Sequence, residues 1–178
     1  MDGRRGDTLA MAHAAAITLL PASVADALPL ALLSRDEIET GLPWRWRPRR
    51  LLACIRDDDH VVLVARSGPE LAGFGVMHYG EQHAHLALLA VAPRWRRAGI
   101  GIRLLRWLEE TAIVAGLERV DLEVREANQG ARAFYERAGY RCFAREPGYY
   151  EPARGAHAET ALRYRRRLRG AAPGSISP

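Results

Sequence analysis

Hydrophobic and polar positions change period several times along this chain, and each change marks an element. A short apolar run at 17–20 ends at Pro21 and predicts a strand. Ser23 stands where a helix cap is needed, so a helix is expected from about 24 to 33. Residues 34–59 read as a second, irregular helical region. Pro43 and Pro48 break it, with Trp44 and Trp46 between them. The β-rich run 60–67, a turn at 67–70 and the run 71–79 predict a hairpin. Residues 85–93 are almost continuously apolar and predict a central strand. From 101 to 115, Ile102, Leu105, Leu108 and Ala112 recur at helical spacing, and Gly116 suits the stop. Residues 119–126 alternate, with Val120, Leu122 and Val124 on one face and Asp121, Glu123 and Arg125 on the other. Asn128 opens a helix to Ala138 that Gly139 closes. A strand at 140–146, a loop at 147–159 and a last strand at 160–168 follow. The order β-α-α-β-β-β-α-β-α-β-β predicts an α/β fold, a mixed central sheet with helices on both faces.

Composition narrows the class. The chain has 178 residues, is 48% hydrophobic and 26% charged, and carries a net charge of +5. One globular domain of 16–169 is expected, with a flexible N-terminal extension at 1–15 and a disordered Gly/Pro-rich tail at 170–178. No apolar run reaches the length of a membrane span. The alanine-rich start faintly imitates a secretion signal, but His13 and Thr18 interrupt it, and Met11 offers an alternative start. Cys54 and Cys142 have no metal-binding spacing and are expected reduced, in a cytoplasmic protein, with Cys142 as core filler. The positive charge favours anionic partners without choosing among them.

The candidate chemistry centres on residues 90–110. Arg96, Arg97, Gly99 and Gly101 lie where a strand gives way to a helix. Backbone amides at a helix start are unpaired and partly positive, and glycine lets the chain approach a phosphate closely. The lysine of a Walker loop and the third glycine of a dinucleotide fingerprint are both missing.

The segment 91–105 resembles the acetyl-CoA pyrophosphate loop of the GCN5-related N-acetyltransferases (GNAT). The likeness continues through 122–140, where a strand is followed by Asn128, a helix and the ending Tyr135-x-x-x-Gly139-Tyr140. Within that superfamily it is similar to RimI-type ribosomal-protein-alanine N-acetyltransferases through Leu42-Pro43-Trp44, Leu122-Glu123-Val124-Arg125 and the stretch 148–152. The resemblance implies acetyl-CoA as cosubstrate and no metal. It implies that the backbone of Leu89, Ala90 and Val91 pairs with the pantetheine arm. It places the pyrophosphate on the amides of Arg97, Ala98, Gly99, Ile100, Gly101 and Ile102, with Arg96 adding charge, although relatives often carry a basic or polar residue where Ala98 stands. It puts Asn128 beside the arm and Tyr135 beside the sulfur. It makes Glu123 the general base, acting through water, with Glu126 the nearby competitor, and Tyr135 the acid. Trp44, Tyr149 and Tyr150 would wall a peptide groove, and Trp46 borders it.

The expected reaction is acetyl transfer to a protein N-terminal α-amine, a ribosomal protein being one candidate. A free α-amine has a pKa of about 8 and a lysine about 10.4, so neutralising lysine at pH 7 costs roughly 3 kcal/mol more, and a weak carboxylate base suits the α-amine better. Two rivals are an acetyltransferase for a small-molecule amine or lysine and a non-catalytic acyl-CoA-binding module. His78, His83 and His85 cluster without the acidic or cysteine partners a metal site needs. The arginine run 163–170 reads as a solvated strand face at a sheet edge. No aromatic platform or recognition motif accompanies it, so direct nucleic-acid binding is not expected.

Overall fold

A computed structural model describes residues 16–151 and 157–168. The expected N-terminal extension and C-terminal tail fall outside the described residues. The strands are β1 (Ile17–Pro21), β2 (His60–Ser67), β3 (Glu70–Tyr79), β4 (Ala84–Val91), β5 (Arg119–Arg125), β6 (Arg141–Tyr150) and β7 (Glu159–Arg167). The helices are α1 (Ala27–Glu37), α2 (Pro48–Arg56), α3 (Ile100–Val114) and α4 (Gln129–Arg137). The element order is the one the sequence predicts. The strands form one sheet in the order β1-β2-β3-β4-β5-β7-β6. Every neighbouring pair is antiparallel except β4 and β5, which are parallel.

Local chemistry sets the helix ends. The Ser23 amide and hydroxyl both donate to the Asp26 carboxylate, at 2.7 and 2.9 Å. That closes a 3-10 turn over Val24–Asp26, so α1 proper begins at Ala27, later than expected. Pro48 occupies the first turn of α2, where its missing N–H costs nothing. The Asn128 side chain accepts from the Ala131 amide at 3.0 Å and starts α4. Gly116 and Gly139 take positive φ after α3 and α4.

Two apolar layers sandwich the sheet. On one face Ile100, Leu104, Leu105 and Leu108 of α3 pack on Leu63, Met77, Leu86, Val120 and Leu122. On the other, Leu30 and Ala31 of α1 and Leu51 of α2 cover Val62, Val64, Phe74, Val76, Leu88 and Ala90. The sheet residues of that second layer come from β2 to β4 only.

The irregularity in β4 matters most. Val76 pairs with Leu88 but Met77 pairs with Leu86, so Ala87 is an extra residue in the strand. Side chains alternate along a strand, so an extra residue reverses the alternation. Ala84 and Leu86 therefore join the α3 layer, whereas Leu88 and Ala90 join the α1–α2 layer. At the same place β4 leaves β5, since only Ala84↔Val120 and His85↔Asp121 are paired. Beyond His85 the two strands diverge and open a cleft.

Three expectations need correction. Tyr149 and Tyr150 end β6 instead of lying in a loop, with a register irregularity between Glu146 and Tyr150. Cys142 is exposed on the outer strand and fills no core, since the bulge between Cys142 and Ala144 loosens that strand. The arginine-rich strand β7 is not an edge: it lies between β5 and β6, and carboxylates of neighbouring elements engage Arg163, Arg165 and Arg166.

β3 passes close to β4 because Gly73 and Gly75 have no side chains. A Cβ on Gly73 would lie 2.7 Å from the backbone oxygen of Ala90. Gly73→Ala is expected to destabilise by about 1–3 kcal/mol, measurable by urea unfolding, because the neighbour is backbone and cannot swing aside.

Candidate active site

The cleft between β4 and β5 is floored by Leu86–Leu89 and Glu123–Arg125 and encloses about 320 Å³. Asn128, Ala131 and Tyr135 of α4 line one side. Glu37–Glu39 with Leu42, Pro43, Arg45 and Trp46 line the other, and Tyr149, Tyr150 and Glu151 close the end. Trp46 is among the lining residues. Trp44 is not: it packs against the α1–α2 layer, donates its indole N–H to the Trp46 carbonyl at 3.1 Å, and lies under Arg35 and Arg47.

The free edge of β4 has a definite polarity. The Ala92 amide donates to the Ala72 carbonyl at 2.9 Å, which makes that cross-strand pair the hydrogen-bonded type. Val91 pairs with Gly73 one residue earlier, so its N–H and C=O point away from β3. The same alternation holds for Leu89, opposite Gly75, whereas Ala90, opposite Phe74, turns its backbone groups to β3. Leu89 and Val91 therefore turn their backbone groups to the free edge of β4, where Arg96 takes the Val91 carbonyl, and Ala90 does not.

The turn from β4 to α3 is left-handed at two places. Arg97 has φ 67° and Gly99 has φ 75°. No side chain caps α3, so its first amides stay open. A Cβ on Gly99 would meet nothing within 4 Å, and one on Gly101 would meet the Phe134 ring at 3.5 Å. Arg96 is held by the Glu37 carboxylate and donates to the Val91 carbonyl at 3.1 Å.

Across the cleft, Glu123 Oε2 lies 2.6 Å from His85 Nε2, and Arg163 Nε donates to Oε1 at 3.2 Å. Arg163 also reaches Glu146 at 3.0 Å. Burial pushes the Glu123 carboxyl toward its neutral form, but His85 and Arg163 outweigh it and hold the pKa below the ordinary value. Glu126 is bound by Arg145 through two hydrogen bonds, at 2.7 and 2.8 Å, and is absent from the cleft lining. Tyr135 is buried, and burial, with Tyr150 adding to it, pushes its phenol well up. Its ring makes edge contacts with Phe134 and Tyr140. Tyr149 and Tyr150 meet edge to face at 4.9 Å.

Sequence reasoning missed two groups. One is His85, brought to Glu123 by the only parallel pairing in the sheet. The other is Glu39, buried at 7% exposure. It accepts from the Arg45 and Trp46 amides at 2.6 and 3.2 Å and from the Ser34 hydroxyl at 3.3 Å, fixing the α1–α2 loop. Arg125 ties the same loop to the sheet through Thr40 O at 2.8 Å, while pairing with Glu159. Arg45 and Glu151 form an exposed bridge at 2.8 Å between that loop and the segment after β6. Among the described residues no group of three metal-binding side chains is present, and no helix is long and apolar enough to cross a membrane.

A seven-stranded mixed sheet that splays at its parallel pair, with an open-amide turn at the splay, defines an acetyltransferase class, and residues 29–140 match the Acetyltransferase (GNAT) family. The chain belongs to that family. It is 37% identical over 82 residues to the N-terminal acetyltransferase B complex catalytic subunit NAT3 of Saccharomyces cerevisiae, covering 45% of this chain and 42% of that protein. The chain spans less than half the length of the curated relatives it matches. In fold it is similar to the ribosomal-protein-S18-alanine N-acetyltransferase of Escherichia coli, with TM-score 0.76 and 20% identity over 91% of this chain and 99% of that one. It is also similar to Arabidopsis thaliana NAA60, solved in complex with acetyl-CoA, with TM-score 0.72 and 21% identity over 86% and 99% of the two chains.

Proposed function

We propose that the protein transfers the acetyl group of acetyl-CoA to the α-amine of a polypeptide N-terminus, in the manner of RimI-type enzymes. The observation that carries this reading is the splayed cleft, with the Leu89 and Val91 amides of β4 turned away from β3 and the His85–Glu123 pair joining β4 to β5 where the cleft begins. The residues fit the cosubstrate. Two left-handed residues and an uncapped helix start supply converging amides from Arg97 to Ile102 for a pyrophosphate. The free edge of β4 can receive an extended amide chain as a strand would. Asn128 and Tyr135 border the same space.

The chemistry then follows from this chain's groups. The ionised Glu123 accepts the Nε2–H of His85 and fixes the ring, leaving Nδ1 as the lone-pair nitrogen that takes one proton from the ammonium, directly or through water. The neutral amine attacks the thioester carbonyl carbon, forming the C–N bond as the carbonyl π pair moves to oxygen. The Val91 amide donates to that oxygen. Collapse breaks the C–S bond, and Tyr135, kept a phenol by burial, hands its proton to the leaving sulfur and recovers one from the amide nitrogen. Glu39 and Arg125 hold the loop against which the peptide lies, with Tyr149, Tyr150 and Trp46 as its apolar walls.

The test is thiol release from acetyl-CoA with short peptides bearing free Ala or Ser N-termini. Controls are the same peptides blocked and carrying an internal lysine, and a panel of small amines. Turnover is expected only with the free N-terminus, and Tyr135→Phe should lower kcat about 10²-fold with KM little changed. Turnover confined to small amines would sink the N-terminal reading and keep the fold.

A further inference from the structure

The half of the sheet beyond the α1–α2 layer carries charge that acetyl transfer does not use. By register, Arg141 of β6 lies directly opposite Arg165 of β7, and Arg167 of β7 directly opposite Arg119 of β5. Like charges placed opposite each other weaken a sheet. One carboxylate answers these four groups. Asp121 takes both hydrogen bonds of Arg165, at 2.9 and 2.8 Å, and lies 3.4 Å from Arg119. Among the described residues Arg141 and Arg167 have no carboxylate within ion-pair distance. At the strand ends a broad cleft joins them to Arg106 and Arg166 of the opposite side. Its acidic members are Glu109, already held by Arg166 at 2.7 Å, and Glu110.

An aromatic ring completes the surface. The Arg165 guanidinium stacks 4.1 Å from the ring centroid of Phe143, a residue 45% exposed on the outer strand. The arginine run itself contains no such platform, and strand pairing supplies it from 22 positions upstream. All 26 basic residues of the chain are arginine. Guanidinium forks hold phosphate oxygens bidentately, and their planes stack on flat rings. An acidic polypeptide would satisfy the charge but has no use for an exposed ring beneath a guanidinium.

We propose that the Arg141–Arg165–Arg167 face of β6 and β7 binds single-stranded RNA, with phosphates on Arg141 and Arg167 and a base on Phe143, which the Asp121-held Arg165 backs. This surface lies outside the acetyl-transfer cleft, so it stands or falls separately from that activity. Electrostatic grooves with stacking aromatics are how single strands are held without sequence readout.

Fluorescence anisotropy of a fluorescein-labelled 12-nucleotide oligouridine RNA, titrated with the full chain, tests it. Saturable binding should weaken about sevenfold between 50 and 200 mM salt if about two phosphates are engaged. Arg141→Glu with Arg167→Glu should weaken binding more than tenfold, and Phe143→Ala about tenfold. Thermal unfolding of both variants should show an undiminished fold, because Arg141 and Arg167 are exposed and lack internal partners. Arg141→Gln serves as a milder check. Peptide acetylation should stay within about twofold. Three results would overturn the proposal. One is RNA binding indifferent to the arginine pair. Another is displacement by polyglutamate at equal affinity with no effect of Phe143→Ala, which would mark an acidic-protein surface. The third is no saturable binding at 50 mM salt.

Discussion

Replacing His85 by glutamine should lower kcat/KM for a free N-terminal peptide by about 10²–10³-fold, the range expected when a positioned acid–base group is lost. The side chain is one-third exposed, and glutamine can still donate to Glu123, so folding should survive. The reason for so large an effect lies in the carboxylate. Glu123 is held below the ordinary carboxylate pKa by His85 and Arg163 against the opposing push of burial, which makes it a poor acceptor for an ammonium proton near neutrality. The imidazole beside it can take that proton instead, and Glu123 orients the ring. Glu123→Gln should therefore also cost at least tenfold, by replacing the charged acceptor that fixes the ring with a neutral amide. A pH profile distinguishes these roles from mere support of the fold. In His85→Gln the remaining base is the depressed carboxylate, so the acid limb of kcat/KM should move to lower pH while the plateau falls. An acid limb unmoved from wild type would refute the pairing as the proton acceptor. The same pKa has a stability consequence. A carboxyl depressed in the folded state stabilises above its unfolded pKa, and that contribution is lost as pH falls through the folded value. Glu123→Gln should thus narrow the difference in Tm between pH 7 and pH 3.

The largest stability effect is expected at Glu109→Ala, about 3 kcal/mol, or a Tm lower by roughly 6–12 °C. Glu109 is 5% exposed on α3, beneath the sheet. It accepts from the Tyr140 hydroxyl at 2.8 Å and from Arg166 at 2.7 and 3.0 Å. Tyr140 is itself fully enclosed, at 2% exposure. Removing the carboxylate strands the buried Tyr140 hydroxyl and takes from Arg166 its ion-pair partner, leaving it among Arg106, Arg141 and Arg167 of the same cleft. Burial raises the Glu109 pKa despite Tyr140 and Arg166, which lower it. An acid raised in the folded state stabilises most below its unfolded pKa, and that part is lost as pH rises toward the folded value. Glu109→Gln keeps the shape and an acceptor, so calorimetry should show it nearer wild type than alanine.

Much of the architecture is legible because its signals are local. Asn128 and Gly139 bracket α4 by capping chemistry, and Gly99 with Gly101 mark the open turn before α3. The bulge at Ala87 is not legible, since a run that is apolar on both faces has no alternation to interrupt. His85 escapes notice for a different reason: its partner is 38 residues away, and pairing across a parallel register leaves no spacing to read. Tyr149 and Tyr150 follow Pro147-Gly148, a turn signal that the sheet overrides with an irregular register. The run of arginines in β7 reads as solvated because Asp121, Glu123 and Glu109 come from other elements.

The short parallel contact between β4 and β5 also shapes how the protein opens. Two residue pairs join a four-stranded block, β1 to β4, to a three-stranded block, β5-β7-β6, whereas β5 and β7 share seven. The α3 layer spans both blocks, so in amide hydrogen exchange the seam is expected to be the first place in the sheet to open, ahead of global unfolding. Amides deep within each block, such as Val64 or Leu122, report global unfolding, while those flanking His85 and Asp121 exchange through a smaller opening. A molecule lying along the free edge of β4 bridges the seam, so its occupancy should register as slowed exchange at the seam before the interior of either block responds.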